Sequence, residues 1–260
     1  MTIAWLAASL AIAARAEEPT GSVWGRSAIN PAQAPEEIDR RRVGVLFVTQ
    51  YLFLALLLFI SAGDFGWRKG WLYLLVNLAL SAVVVPFIWH VNPGILVARI
   101  HMRWVKRWDK ILVSITIVPL AAVFVVAALD DGRFHWLPIP RWLCAAGYVL
   151  FFLGMGIGTW TGAVNKFAEG PVRIQTERGH TVVDSGPYAI VRHPGYVGAF
   201  FLFVGTALAL GSLWALIPVG FVMGLLILRT QWEDQTLQAE LSGYKEYTAR
   251  VRYKLIPGVW

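Results

Sequence analysis

Residues 196–228, YVGAFFLFVGTALALGSLWALIPVGFVMGLLIL, contain no Lys, Arg, Asp or Glu. As one helix, a run of this length would extend about 50 Å at ~1.5 Å per residue, whereas the hydrocarbon core of a bilayer is only ~30 Å thick. Gly211 and Ser212 interrupt it near the middle, so it is read as a helical hairpin whose turn lies there and whose two ends return to the same side. Four earlier stretches, 43–63, 71–91, 111–129 and 142–164, are nearly free of charge, and each matches the ~20 residues that one crossing needs. The predicted fold is an all-α polytopic membrane protein, with four full spans plus a C-terminal helical hairpin.

The composition agrees. The chain has 260 residues, 57% of them hydrophobic and 15% charged. Its net charge of +7 would suit a nucleic-acid binder, but the charge is distributed as in a membrane protein. Placing the segment before residue 43 in the cytoplasm puts eighteen Lys and Arg on that side, in segments 17–42, 92–110, 165–195 and 229–260. Only Arg68, Lys69, Arg133 and Arg141 then fall on the other side. This asymmetry obeys the positive-inside rule, and contact with anionic membrane lipids accounts for the basic balance. No nucleic-acid partner is expected. Cys144 is the single cysteine, which excludes an intrachain disulfide and a cysteine metal cluster; no metal site is expected.

Three regions follow. In 1–42, the first sixteen residues read either as a short apolar helix on the membrane or as a signal-like segment, followed by a linker with Pro19, Pro31 and Pro35. Residues 43–141 hold spans one to three and a basic amphipathic helix over 95–110. Its stripe of Leu96, Ile100, Trp104 and Trp108, set against Arg99, Arg103, Lys106, Arg107 and Lys110, suits the membrane interface. Residues 142–260 carry the remaining features. Gly154, Gly158 and Gly162 recur every fourth residue, which lets another helix approach closely.

The polar loop 165–195 is long for a connection, and long loops are functional or disordered; its Val172, Ile174, Val182, Val183, Tyr188 and Ile190 argue for order. Pro187 and Pro194 turn the preceding residues away from helix, which leaves His193 in an extended turn with backbone groups open to a polar ligand. Arg229 and Glu233 are four apart and read as a surface pair. The hairpin nevertheless brings them back to the face that carries Arg192 and His193. Charges that converge at a bilayer edge from distant segments mark a candidate site.

The ordered set GPY, RHPGYVG, apolar hairpin, Glu233-Asp234, Leu237, GY..Y and terminal IP over roughly 142–260 resembles the isoprenylcysteine carboxyl methyltransferase and phospholipid methyltransferase group. The resemblance implies an S-adenosylmethionine-dependent membrane methyltransferase of the plasma or inner membrane. Its cofactor site would be cytoplasmic, built from the 165–195 loop and the C-terminal tail, and its acceptor would be a lipophilic small molecule or lipid. It also implies cofactor contacts at Gln175, Gly179, His180, Tyr188, His193, Pro194, Tyr196 and Glu233, joined by Arg192 from the converging set, and catalytic roles for Arg229 and Glu233. The chain departs from the pattern at Asp234, where Glu is commoner, and in its VRYKLIP tail. That ending is also similar to membrane sterol reductases, which use a nicotinamide cofactor but have more spans and Asn at the place of Gly195. A non-catalytic membrane protein on the same fold is the third reading.

Overall fold

The computed structural model describes residues 40–100 and 105–260. The expectations for residues 1–39, for Arg103 and Trp104, and for the side chains of Arg99 and Ile100 lie outside the described residues. Helices α1 (Arg40–Ala62), α2 (Arg68–Val91), α4 (Arg107–Ala127), α5 (Arg141–Val164) and α7 (Leu216–Glu240) provide five segments long and apolar enough to cross a membrane. The short helices are α3 (Pro93–Ile100), α6 (Pro194–Ala209) and α8 (Tyr244–Arg250). Large apolar side chains such as Val45, Leu52, Leu56 and Ile60 on α1 point outward and are exposed, as expected where lipid is the solvent. The protein is a polytopic membrane protein.

The hairpin forms where the sequence places it. α6 ends at Ala209, Gly211 takes φ +93°, and α7 starts at Leu216. A side chain at Gly211 would be strained in that conformation and would collide with Lys69 and Asp131. Ser212 fixes the turn by donating to Asp130 Oδ2 at 2.6 Å and accepting from Ala215 N at 3.1 Å. Asp131 accepts from Trp67 Nε1 at 2.8 Å and from Lys69 at 2.5 Å. To present these carboxylates, α4 continues as a π-helical turn, Ala128–Phe134, beyond the predicted span.

Glycine spacing does bring two helices together, in a register the sequence reading found only in part. A Cβ on Gly154 would lie under 3 Å from Leu202 N and Gly198 O, and one on Gly205 under 3 Å from Phe151 N and Gly147 O. The seam therefore pairs Gly147, Gly154 and Gly158 of α5 with Gly198 and Gly205 of α6, so the backbones touch directly. Gly162 lies off this seam and faces Ile88 and Ile95. α4 packs along α7. The main buried cluster draws Leu58, Tyr73, Phe124, Phe151, Phe203 and Val222 from six helices, on both sides of residue 142.

The amphipathic helix expected over 95–110 is not continuous. α3 ends at Ile100, the backbone at Lys106 is extended (φ −92°, ψ 117°), and Arg107 to Lys110 form the first turn of α4. Leu96 is buried beside Ile88 and Ile95, and Trp108 packs edge-on against Trp232 with centroids 5.4 Å apart.

Gly205→Leu is expected to force α5 and α6 apart at the cost of about 1–3 kcal/mol or more, seen as a lower unfolding temperature in detergent. Gly220→Leu, where a Cβ meets nothing within 4 Å, serves as the matched control and is expected to be neutral.

Candidate functional site

The start of α6 and the end of α7 meet as the hairpin requires, and the tail closes over them. Arg192 donates to Asp234 twice, from Nε at 2.8 Å and Nη2 at 3.1 Å, and its Nη1 reaches the carbonyls of Val251 and Arg252 at 2.9 and 2.7 Å. Asp234 also accepts from Gln238 at 2.8 Å and Tyr244 at 3.2 Å, and His193 Nε2 lies 3.3 Å away. With 0% of its surface exposed, Asp234 joins residues 192–193, its own helix α7 and the start of α8, and Lys254 Nζ of the tail lies 3.7 Å away. The backbone N–H groups of Arg192 and His193 donate to the carbonyls of Tyr253 and Lys254, each at 2.9 Å. These N–H groups, expected to be open to a ligand, are thus committed to the tail.

Neighbouring Glu233 has a different setting. Tyr196 donates to its Oε2 at 2.5 Å, and its other oxygen has no partner among the described residues. Arg229 does not pair with Glu233 as the spacing suggested. Its Nε donates to Asp109 Oδ1 at 2.8 Å, its Nη2 to the Gly170 carbonyl at 2.5 Å, and its guanidinium lies 5.8 Å from the Tyr196 ring centroid. Asp109, fully buried in the first turn of α4, also accepts from Val172 N at 2.7 Å. The sequence reading missed this residue; its one signal was that it is the only acidic residue among five cations in 92–110.

The loop folds around its own polar groups. Gln175, 1% exposed, donates to the Phe167 carbonyl at 2.7 Å and accepts from Arg178 at 2.6 Å. His180 packs at a tilt against Phe167 with centroids 4.4 Å apart, and its Nδ1 accepts from Gln175 N at 3.3 Å. Burial, followed by the charges of Arg173 and Arg178, pulls the His180 pKa down to about 4. Tyr188 receives an N–H from Asn165 at 2.8 Å, and its carbonyl accepts from Tyr247 at 2.7 Å.

These parts enclose a cavity of about 280 Å³. At one end it is lined by Glu169, His180, Tyr188, His193, Tyr196 and Glu233, with Arg192 and Arg229 among them. At the other it runs between the helices past Val113, Leu120, Leu202, Phe203, Val222 and Leu226. Gln175, Gly179 and Pro194, also predicted as contacts, do not line it; Gln175 and Pro194 are buried behind the wall, and Gly179 is exposed at a turn. Thr161 does line it, and its buried hydroxyl has no partner among the described residues. An orphaned buried hydroxyl is costly unless a ligand completes it.

A family match covers most of this region. Residues 142–242 match the model of the phospholipid methyltransferase family. The chain is 31% identical over 146 residues to the protein-S-isoprenylcysteine O-methyltransferase of Rattus norvegicus, covering 49% of each chain. It is also 29% identical over 133 residues to a Delta(14)-sterol reductase of Mus musculus, covering 48% of this chain and 32% of that one. The chain thus spans about a third to a half of the length of these curated relatives.

Two outcomes test the geometry. Asp234→Ala leaves Arg192 buried without its carboxylate, a change that typically costs ~3–5 kcal/mol, and is expected to lower the unfolding temperature sharply; Glu233→Gln is expected to leave it nearly unchanged. The folded loop holds His180 neutral, while a free imidazole takes up a proton near pH ~6.5. The His180 contribution is therefore present above that value and lost as the pH falls towards about 4. Corrected for intrinsic rates, amide protection at residues 175–180 should drop over that interval, and His180→Phe should flatten the dependence.

Proposed function

We propose that this protein is an integral-membrane methyltransferase that transfers a methyl group from S-adenosylmethionine to a lipophilic acceptor, a prenylcysteine-type carboxylate or a lipid headgroup, at the cytoplasmic face. The observation that carries this reading is one continuous cavity with a polar end at the helix termini and an apolar end between the helices. A water-soluble donor and a lipid-borne acceptor can meet only where two such environments adjoin. The assignment to the cytoplasmic side rests on the charge asymmetry of the loops.

The residues fit the donor. When bound, S-adenosylmethionine supplies an activated methyl group on a sulfonium cation. The lining arginines are already neutralised: Arg173 by Glu169 and Glu177, Arg192 by Asp234, Arg229 by Asp109. The remaining oxygen of Glu233 and the rings of Tyr188, Tyr196 and Tyr244 give the polar end the character that attracts a cation. Thr161, His180 and His193 offer hydrogen bonds to the polar parts of the donor. Gln175, Gly179 and Pro194 act by shaping the wall.

The chain's own contribution is alignment and exclusion of water. For a carboxylate acceptor, already ionised at neutral pH, no base is required, and the Nη1 of Arg229, which has no partner among the described residues, can orient it. For an amine acceptor, Glu233 is the group placed to take the proton.

The match to a sterol reductase supports a second reading, hydride transfer from a nicotinamide cofactor. Dinucleotide phosphates bring several negative charges, and the charge of each lining arginine is already balanced by a carboxylate, so this reading is the weaker.

Purified full-length protein is expected to bind S-adenosylmethionine in calorimetry and to transfer label from it to a member of a panel of prenylcysteines, aminophospholipids and small thiols. Glu233→Ala is expected to abolish both binding and transfer while the protein remains monodisperse. Tight NADPH binding with no S-adenosylmethionine binding would reverse the assignment in favour of the reductase.

A further inference from the structure

Asp109 lies outside the region shared with the methyltransferase family, yet it makes closer contact with the proposed catalytic arginine than any residue inside that region except Gly170. Its carboxylate is fully buried. Both oxygens are used: Oδ1 accepts from Arg229 Nε at 2.8 Å, and Oδ2 accepts from Val172 N at 2.7 Å. Arg229 in turn donates from Nη2 to the Gly170 carbonyl at 2.5 Å. A closed ring of contacts therefore links three elements: the first turn of α4, the loop at 170–172, and α7.

This ring fixes the orientation of the guanidinium. An arginine fork is planar, with its donors in fixed directions. Once Nε and Nη2 are committed to Asp109 and Gly170, Nη1 is left to face the cavity that Arg229 lines, beside Tyr196. A residue bonded to Arg229 on only one side would leave it free to swing about its long side chain. The location of Asp109 in the first helical turn favours its negative charge there, and the carboxylate also secures the loop backbone that forms the wall of the cavity.

We propose that Asp109 is the positioning residue of the site: it orients the Arg229 guanidinium towards the acceptor and ties the loop at Val172 to the same point. The proposal rests on the methyltransferase reading for the role of Arg229, but the ring itself does not depend on that reading. Val113, Thr116 and Leu120, which line the cavity one to three turns further along α4, are placed by the same helix. The N-terminal half of the chain thus supplies part of the site.

The test combines a structural and a kinetic measurement on the full-length protein in detergent. In ligand-free protein, Arg229 modification by an arginine-selective dicarbonyl is followed by mass spectrometry, with exposed Arg250 as the internal reference. Asp109→Asn is expected to speed modification of Arg229 relative to Arg250 and to quicken amide exchange at 170–173; unchanged rates at both would overturn the proposal, whatever reaction the protein performs. In methyl transfer, D109N is expected to lower kcat by about 10²-fold, the usual consequence of a misplaced reacting group. Because Asp109 acts through Arg229, the same substitution in an Arg229→Lys background is expected to cost little further. Full multiplicative losses in the double variant would show that Asp109 serves only the fold. Absence of transfer by the wild-type protein would refute the methyltransferase reading, and the modification rates would still decide the role of Asp109. If D109N does not purify as a monodisperse species, exchange at 170–173 in R229K alone reads the same link from its other end; rates equal to wild type there would overturn it.

Discussion

The polar end of the molecule is organised around one buried carboxylate. Asp234 has no exposed surface, and it receives both forks of Arg192, the hydroxyl of Tyr244 and the amide of Gln238. An ion pair taken out of water returns its desolvation cost only when the remaining donors and acceptors are satisfied as well, and here they are. The consequence is geometric. Arg192 has a donor left for the carbonyls of Val251 and Arg252, so the same pair that joins the two arms of the hairpin also holds the tail across their ends. Without it, the cavity would lose one wall.

The opposite end of the hairpin is held by a second, independent set of contacts. Ser212 and Gly211 are fixed against Asp130, Asp131 and Lys69, and the glycine seam between α5 and α6 allows no rotation of one helix without backbone collision. With the turn and the seam both constrained, the depth of α7 is set. That depth places Arg229 and Glu233 where α7 leaves the apolar run, next to the loop, so these two side chains are positioned in part by contacts made at the far end of the hairpin.

The long-period features were legible in the sequence, and the pairings were not. Run length and the Gly211-Ser212 break revealed the spans and the hairpin because a membrane makes apolar length itself a structural signal. Gly154 and Gly158 were visible as a spacing, but their partners Gly198 and Gly205 belong to another helix, and one helix's period says nothing about the register of its neighbour. The same limit explains Arg229. Within α7 the natural partner is Glu233, four residues on; the actual partner is Asp109, 120 positions away, and such a contact leaves no periodic trace. Gln175 was read as a ligand contact, yet its amide is spent on the loop backbone. A buried glutamine serving a loop and one serving a ligand look alike in a string of letters.

Adjacent Glu233 and Asp234 show how one helix divides two tasks. At 3.6 residues per turn, consecutive side chains diverge by about 100°, so Asp234 faces Arg192 and the tail while Glu233 faces Tyr196 and the cavity. Near the edge of a bilayer, charges interact more strongly than in water and must be paired. Each arginine lining the cavity has a carboxylate partner, whereas Glu233, which lines it too, keeps an oxygen without a partner among the described residues. A cavity with cations neutralised and one carboxylate oxygen to spare favours a positively charged guest. That preference is a property of the residues themselves, and it is what a sulfonium donor would require of them.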